Sequence, residues 1–277
     1  MENVYVLYHG NCPDGCAAAA VVALRCFMDV TPIPVTYSQQ PPALDPGRHV
    51  CIVDFSYPRE TMIEMAKKHD LLVIDHHKTA AENCADLDFC RFDMSECGAT
   101  LTWKEMFPNC DIPLFLRYIK DRDLWRWELP NSREFSAGLK SEPMEVAHYA
   151  EMIISSPDSV QRLIQAGSIA LRLINQVVEK LCQEVLMARF DAETKTVTFQ
   201  STPGPGLIPC VNTPCYASET CERLMELYPD VPFVACWHET GKGRKFELRS
   251  KGENDCSIIA KQFGGGGHRN AAGFYLR

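Results

Sequence analysis

Three short apolar runs near the start of the chain end on ionisable side chains, and nothing else in the sequence constrains the fold as much. Val4 to Tyr8 leads into His9-Gly10, Val50 to Asp54 closes on its aspartate, and Leu71 to Asp75 runs straight into His76-His77. Runs this short, bounded by turn residues, read as buried strands. Helical patterns lie between them. Cys16 to Met28 is rich in Ala and Val and follows a Pro-Asp-Gly turn, and Tyr57-Pro58 opens a helix through His69, with Pro58 where a helix start tolerates it. Val35 to Gln39 reads as a further strand. Strands alternating with helices predict an α/β fold: a parallel sheet covered by helices on both faces. Ligands of such open sheets bind beyond the carboxyl ends of the strands. His9 with Asp14, then Asp54, then Asp75 with His76 and His77, are therefore expected on one edge of one sheet.

The pattern then changes. Cys97 to Met106, Leu114 to Arg122, Val146 to Ser155 and the long amphipathic Val160 to Met187 read as helices. After Phe190, strands are expected at Thr196 to Gln200, Leu207 to Asn212, Phe233 to Trp237 and Lys245 to Arg249, with a helix over Ala217 to Leu227. This divides the chain into an N-terminal parallel-sheet domain over 1–155, a helical linker over 156–190 and a smaller C-terminal α/β domain over 191–277. There is no internal repeat, and the one low-complexity piece is the four-glycine run before His268.

Composition narrows the function classes. Asp plus Glu number 36 against 28 Lys plus Arg, a formal charge of −8. Binding to long duplex rests on many basic residues neutralising phosphates, so it is not expected here. Fourteen cysteines would suit a disulfide scaffold only in a short secreted chain. They are scattered through apolar stretches, and Met1-Glu2-Asn3 lacks a basic leader. We expect a cytoplasmic protein whose cysteines are reduced. No apolar run reaches the roughly 18 residues a membrane span requires.

Carboxylate oxygen beside imidazole nitrogen, as in Asp75-His76-His77, suits Mn²⁺, Fe²⁺ or Zn²⁺. His9, Asp14 and Asp54 at neighbouring strand ends extend the same donor set. Four segments, in order, resemble the DHH phosphoesterase superfamily: His9-Gly10-Asn11-Cys12-Pro13-Asp14-Gly15, Val53-Asp54-Phe55-Ser56, Asp75-His76-His77 and Lys120-Asp121-Arg122-Asp123-Leu124-Trp125. The tail Gly265-Gly266-Gly267-His268-Arg269-Asn270-Ala271-Ala272-Gly273 resembles the glycine-rich motif of that family's accessory domain. The family includes RecJ-like exonucleases, nanoRNases and pAp phosphatases, cyclic-dinucleotide phosphodiesterases and exopolyphosphatases.

The resemblance implies two metal ions, usually Mn²⁺, with Mg²⁺, Zn²⁺ and Fe²⁺ as alternatives. Asp54 would bridge them, His9 and Asp14 would surround the first, and His76 and Asp123 would hold the second. Asp75 and His77 would orient the ligands, with His77 also close to the phosphate or the attacking water. Asp121 competes with Asp123 for its role, and the Asp-Leu-Trp context favours Asp123. In the tail, Gly265, Gly266 and Gly267 would present backbone N–H groups to an anion, with His268, Arg269 and Asn270 completing the substrate contacts. Arg122 and Arg126 are further phosphate-binding candidates, whereas Trp125 and Trp127 read first as packing residues.

One position departs from the pattern. The family's first motif carries two aspartates two residues apart, and this chain has only Asp14. Either Cys12 or Cys16 stands in the vacant place, depending on which aspartate Asp14 matches. A thiolate there would favour Zn²⁺ or Fe²⁺ over Mn²⁺. The expected function is hydrolysis of a phosphomonoester or phosphodiester bond in a short oligonucleotide, nucleotide bisphosphate or cyclic dinucleotide by a metal-bound hydroxide. The expected partner is that small phosphorylated substrate, and a homodimer stays open. Two alternatives remain: a non-catalytic nucleotide-binding module that has lost a metal carboxylate, and a polyphosphate or pyrophosphate hydrolase.

Overall fold

A computed structural model describes residues 4–37 and 39–276 and separates into two units, Met1–Leu171 and Arg172–Arg277. The first unit is built from β1 (Val4–His9), α1 (Pro13–Arg25), β2 (Val30–Val35), β3 (His49–Val53), α2 (Arg59–Ala66), β4 (Asp70–Asp75), α3 (Lys78–Cys84) and β5 (Cys90–Phe92). Four helices follow: α4 (Gly98–Met106), α5 (Leu114–Asp123), α6 (Ser132–Leu139) and α7 (Val146–Ile154). The strands form one all-parallel sheet in the order β2-β1-β3-β4-β5.

Period-two alternation sends apolar side chains to both faces of this sheet. Val6, Tyr8, Cys51, Val53 and Ile74 join the core made with α1 and α4 to α7. Leu7, Val50, Ile52, Leu71 and Val73 point the other way, against Met62 and Met65 of α2 and Cys84 of α3. Two expectations need correction. The second strand is Val30–Val35, not Val35 to Gln39, and it contains Pro32 and Pro34. Proline cannot donate to a ladder, so such a strand belongs at an edge, and β2 pairs with β1 alone. The Pro-Asp-Gly segment is the first turn of α1 rather than a turn before it, because proline's fixed φ suits the first helical position.

Helix α8 (Asp158–Leu181) runs across the division between the units. It stops short of the expected Met187, since β6 (Leu186–Asp191) already begins there. The second unit continues with β7 (Thr196–Gln200), β8 (Ile208–Asn212), α9 (Ala217–Leu227), β9 (Val234–Thr240), β10 (Gly243–Arg249), α10 (Cys256–Gln262), β11 (Gly266–His268) and β12 (Ala271–Leu276). Its sheet has the order β11-β12-β10-β9-β8-β6-β7, antiparallel except for the parallel pair β8 and β9. Phe190, Phe233, Phe246, Phe263 and Phe274 form its core with Cys256 and Ala260 of α10. Cys221 of α9 meets Cys236 of β9 with 3.4 Å between the sulfurs. All 14 cysteines are free thiols, and among the described residues no helix is long and apolar enough to cross a membrane.

Candidate metal centre

Asp54 lies just beyond β3, where the chain turns with φ at 55°, a left-handed conformation that aspartate tolerates better than most residues. Its N–H is tied to the Ile74 carbonyl at 2.9 Å. The buried carboxylate faces two imidazoles: His76 Nε2 lies 3.0 Å from Oδ1, and His9 Nδ1 lies 3.5 Å from Oδ2. Asp14, in the first turn of α1, accepts the N–H groups of Gly98 and Ala99 at 2.6 and 2.9 Å. The amino end of α4 thus points at a carboxylate, the favourable sense for a helix dipole. Gly98 makes this approach possible. A Cβ there would sit 2.6 Å from Asp54 Cβ and 2.9 Å from Asp14 Oδ2.

His76 closes the cluster. Its Nε2 is 3.5 Å from Asp14 Oδ2 and 3.6 Å from Asp123 Oδ2, the latter at the end of α5. Within the first unit three-residue sets emerge, each with one ligand-type atom per residue and all three atoms within 4.8 Å; besides Asp54 with Asp75 and His77, they are His9 with Cys12 and Asp54, and Asp14 with His76 and Asp123. The last two differ from the expected pairing, because Asp14 stands with His76 and Asp123 while Cys12 stands beside His9. Of the two cysteines in doubt, Cys16 is fully buried in the apolar core, where burial lifts its thiol to about 12.

Asp75 belongs to a different kind of group. Its Oδ1 accepts His77 Nδ1 at 2.7 Å and the backbone N–H groups of His76 and His77 at 2.7 and 3.2 Å. Its Oδ2 accepts the Ser56 hydroxyl at 2.6 Å. With these donors Asp75 fixes the His77 ring and the backbone that carries both histidines, the part carboxylates play behind ligating imidazoles. Asp121 is also satisfied, by the N–H groups of Glu128 and Leu129 at 3.0 and 3.3 Å, so the geometry separates it from Asp123. By contrast, Asp54 Oδ2, Asp123 Oδ2 and His9 Nδ1 are buried without a hydrogen-bond partner among the described residues.

Charge tells the same story. Burial, then Asp54 and Asp123, push the Asp14 carboxyl well above the usual range. Burial and Asp54 likewise raise Asp123, against the pull of His76. Burial opposes ionisation of Asp54, but the facing imidazoles of His76, His9 and His77 outweigh it and hold that carboxyl well below the usual range. Burial disfavours the charged His76, yet Asp54 and Asp123 raise its pKa well above the ordinary value. Burial and the three carboxylates push the Cys12 thiol up. Such a concentration of buried acceptors is costly unless cations balance it. The unpartnered oxygens and the oxygen, nitrogen and sulfur donors fit divalent metal ions.

Other residues frame the cluster. The Tyr37 ring lies 5.3 Å from that of His9 and 6.0 Å from that of His77. A cavity of about 510 Å³ beside them is lined by Tyr37, Gln39, Phe55, Tyr57, His77 and Asn83, among others. Trp125 and Trp127 pack edge to face at 4.7 Å, and the Arg133 guanidinium sits 4.6 Å from the Trp127 ring. Arg126 donates to the Ser95 carbonyl. Sequence reasoning missed the place of Tyr37 beside the cluster and, although it expected a helix from Cys97, the contact of that helix start with Asp14, for which the run of small residues Cys97-Gly98-Ala99 was the available signal.

In the second unit the glycine-rich tail forms a hairpin. Gly266, Gly267 and His268 pair with Gly273, Ala272 and Ala271. Gly265 lies so close to the Gly273 carbonyl that a Cβ would overlap it at 2.0 Å. Arg269 pairs with Glu253, and the Asn270 amide donates to Ser250 Oγ at 3.0 Å and to the Asn254 carbonyl at 3.1 Å. Arg269 and Asn270 therefore stabilise the neighbouring loop, and His268 stands at the strand end.

No family model matches the chain. Uncharacterized protein R106 of Acanthamoeba polyphaga mimivirus is 28% identical over 289 residues, covering 97% of this chain and 66% of its own length; this chain thus spans just under two thirds of that relative. Three solved structures share the architecture. The DHH domain of a member of a ribosomal protein family superposes with a TM-score of 0.57, at 12% identity over 98% of this chain and 82% of that one. An exopolyphosphatase-related protein from Bacteroides fragilis gives 0.55, at 15% identity over 99% and 87%. RecJ from Thermus thermophilus, solved with Mn²⁺, gives 0.52, at 12% identity over 100% of this chain and 50% of RecJ. The chain has the two-domain α/β fold of DHH proteins.

Proposed function

We propose that this chain is a divalent-metal-dependent phosphoesterase acting on a small nucleotide-type substrate. The observation that carries the reading is the placement of Asp54 between two donor sets at the carboxyl edge of one parallel sheet. His9, Cys12 and Asp54 would hold one cation, and Asp14, His76 and Asp123 a second, with Mn²⁺ the first candidate by analogy with RecJ. Bound divalent cations activate water at neutral pH and clamp phosphate oxygens during an in-line displacement. The protein's own residues do the rest. Asp75 takes the Nδ1 proton of His77 in its hydrogen bond, which leaves Nε2 as the nitrogen able to accept a proton or hold a substrate oxygen. The aromatic cavity beside His77 would receive the organic part of the substrate. In the second unit we assign phosphate binding to His268 and to the backbone of Gly266 and Gly267, since the Gly265 N–H is already donated to the Ala260 carbonyl at 2.8 Å.

The test is hydrolysis of short RNA, pAp, a cyclic dinucleotide and polyphosphate with and without Mn²⁺. We expect cleavage of at least one nucleotide substrate, abolished by chelator and reduced to background in Asp54→Ala. Full activity in Asp54→Ala overturns the reading. Preference for polyphosphate would redirect it to that class. A second reading, a nucleotide-binding module without catalysis, is favoured by the missing first-motif carboxylate. It predicts fewer than one metal per chain by mass spectrometry, with nucleotide still bound.

A further inference from the structure

The two donor sets are not chemically alike. The set of Asp14, His76 and Asp123 offers oxygen, nitrogen and oxygen, whereas that of His9, Cys12 and Asp54 offers nitrogen, sulfur and oxygen. Asp54 serves both, its Oδ1 turned to His76 and its Oδ2 to His9. Cys12 is not a lone thiol near an acidic patch. It converges with a carboxylate oxygen on a residue that is 1% exposed and takes no hydrogen bond there, and with the buried, unpartnered Nδ1 of His9, a residue that is 24% exposed. The neighbouring cysteines are otherwise engaged: Cys16 lies in the apolar core, and Cys97, in the same core, lies 3.5 Å from the Thr100 hydroxyl.

We propose that Cys12 is a direct metal ligand and makes the first site thiophilic, so that the centre takes two different metals. The inference rests on the metal-centre reading above. A thiolate carries the same charge as the carboxylate it replaces, so the electrostatic balance of the site is kept while its softness changes. Soft sulfur ligands select Zn²⁺, Co²⁺ or Fe²⁺, whereas the oxygen-rich second set accepts Mn²⁺ or Mg²⁺. On binding, the Cys12 S–H bond breaks, its proton passes to solvent and the sulfur electron pair forms the bond to the cation.

The experiment uses the metal-free full chain, titrated anaerobically with Co²⁺ and followed by the near-ultraviolet sulfur-to-cobalt charge-transfer band. The band should appear in the natural protein and in Cys16→Ser and Cys97→Ser. It should vanish in Cys12→Ser and Cys12→Asp. Cys12→Asp keeps the charge and supplies a hard ligand, so it should still bind Co²⁺ without the band. Its preference for Zn²⁺ over Mn²⁺, measured by competition, should fall by roughly tenfold or more. Binding of Co²⁺ by the natural protein without the band overturns this proposal and leaves the metal centre standing, as does a band that survives in both Cys12 variants. Failure to bind either Co²⁺ or Mn²⁺ overturns the proposal and the metal centre together.

Discussion

Both units contain a glycine contact too close for any Cβ, yet the polar groups around the two contacts differ in kind. At Gly98 in the first unit, carboxylate oxygens of Asp54 and Asp123 are buried without hydrogen-bond partners. At Gly265 in the second, the flanking Asn270 amide donates to Ser250 and Asn254, and Arg269 pairs with Glu253. Buried polar atoms are almost always paired. A cluster that breaks this rule with two acidic side chains is arranged for something outside the chain, whereas a satisfied cluster holds its own loops together. The same contrast recurs within the first unit: Asp75 and Asp121 are saturated with donors, and Asp54 and Asp123 are not.

The largest effect should come from closing the gap at Gly98. In Gly98→Ala the new methyl meets Asp54 Cβ and Asp14 Oδ2, both on fixed elements, so overpacking should cost about 1–3 kcal/mol of stability and weaken Mn²⁺ binding as well. Urea unfolding in chelator and Mn²⁺ titration measure the two consequences separately. An unchanged Mn²⁺ affinity would mean that α4 does not shape the centre. Next in size is Asp75→Asn, which keeps the volume but weakens the anchor of His77. Metal affinity or activity should fall by roughly 10- to 100-fold. Asp121→Asn is its counterpart: it should lower stability by about 1 kcal/mol through weakened hydrogen bonds and leave metal affinity where it was. If Asp121→Asn weakened Mn²⁺ binding as much as Asp75→Asn does, the anchoring of His77 would not be what sets Asp75 apart from the other satisfied carboxylate.

This contrast also explains what could be read from the sequence. The parallel sheet and its polar edge were legible because strand periodicity and strand-end residues are local, and Asp54 and Asp75-His76-His77 stand where strands stop. Hydrogen-bond partners are not local. Gly98 and Asp14 lie 84 residues apart, so nothing in the first motif announces that a helix start covers Asp14. The choice between Cys12 and Cys16 was equally closed to sequence, since both flank Asp14 and only the packing of α1 sends Cys16 into the core. β2 was displaced because Pro32 and Pro34 hide an edge strand. In the tail, the glycines suggested an anion cradle, while the structure uses Gly265 for close pairing with Gly273 and turns Asn270 to its own loop.

Glu96 offers the smallest test and works as a control. It lies two residues before Gly98, close to the centre, yet it belongs to the satisfied class. Its Oε1 meets Lys104 at 2.7 Å and Lys120 at 2.8 Å, and its Oε2 accepts the Thr100 hydroxyl at 2.7 Å. Burial alone would raise its pKa, but these three partners outweigh burial and bring it from 4.5 down to about 2. A carboxyl with a depressed folded-state pKa stabilises the fold fully above its unfolded value and loses that contribution as pH falls toward the folded one. The natural protein should therefore exceed Glu96→Gln in stability above pH 4.5, and the difference should shrink as pH falls toward about 2. At neutral pH we expect a gap of roughly 1 kcal/mol, measured in chelator by urea unfolding at several pH values. Mn²⁺ affinity at neutral pH should match the natural protein's, because Glu96 has its partners within the fold and contributes no unpaired oxygen to the metal.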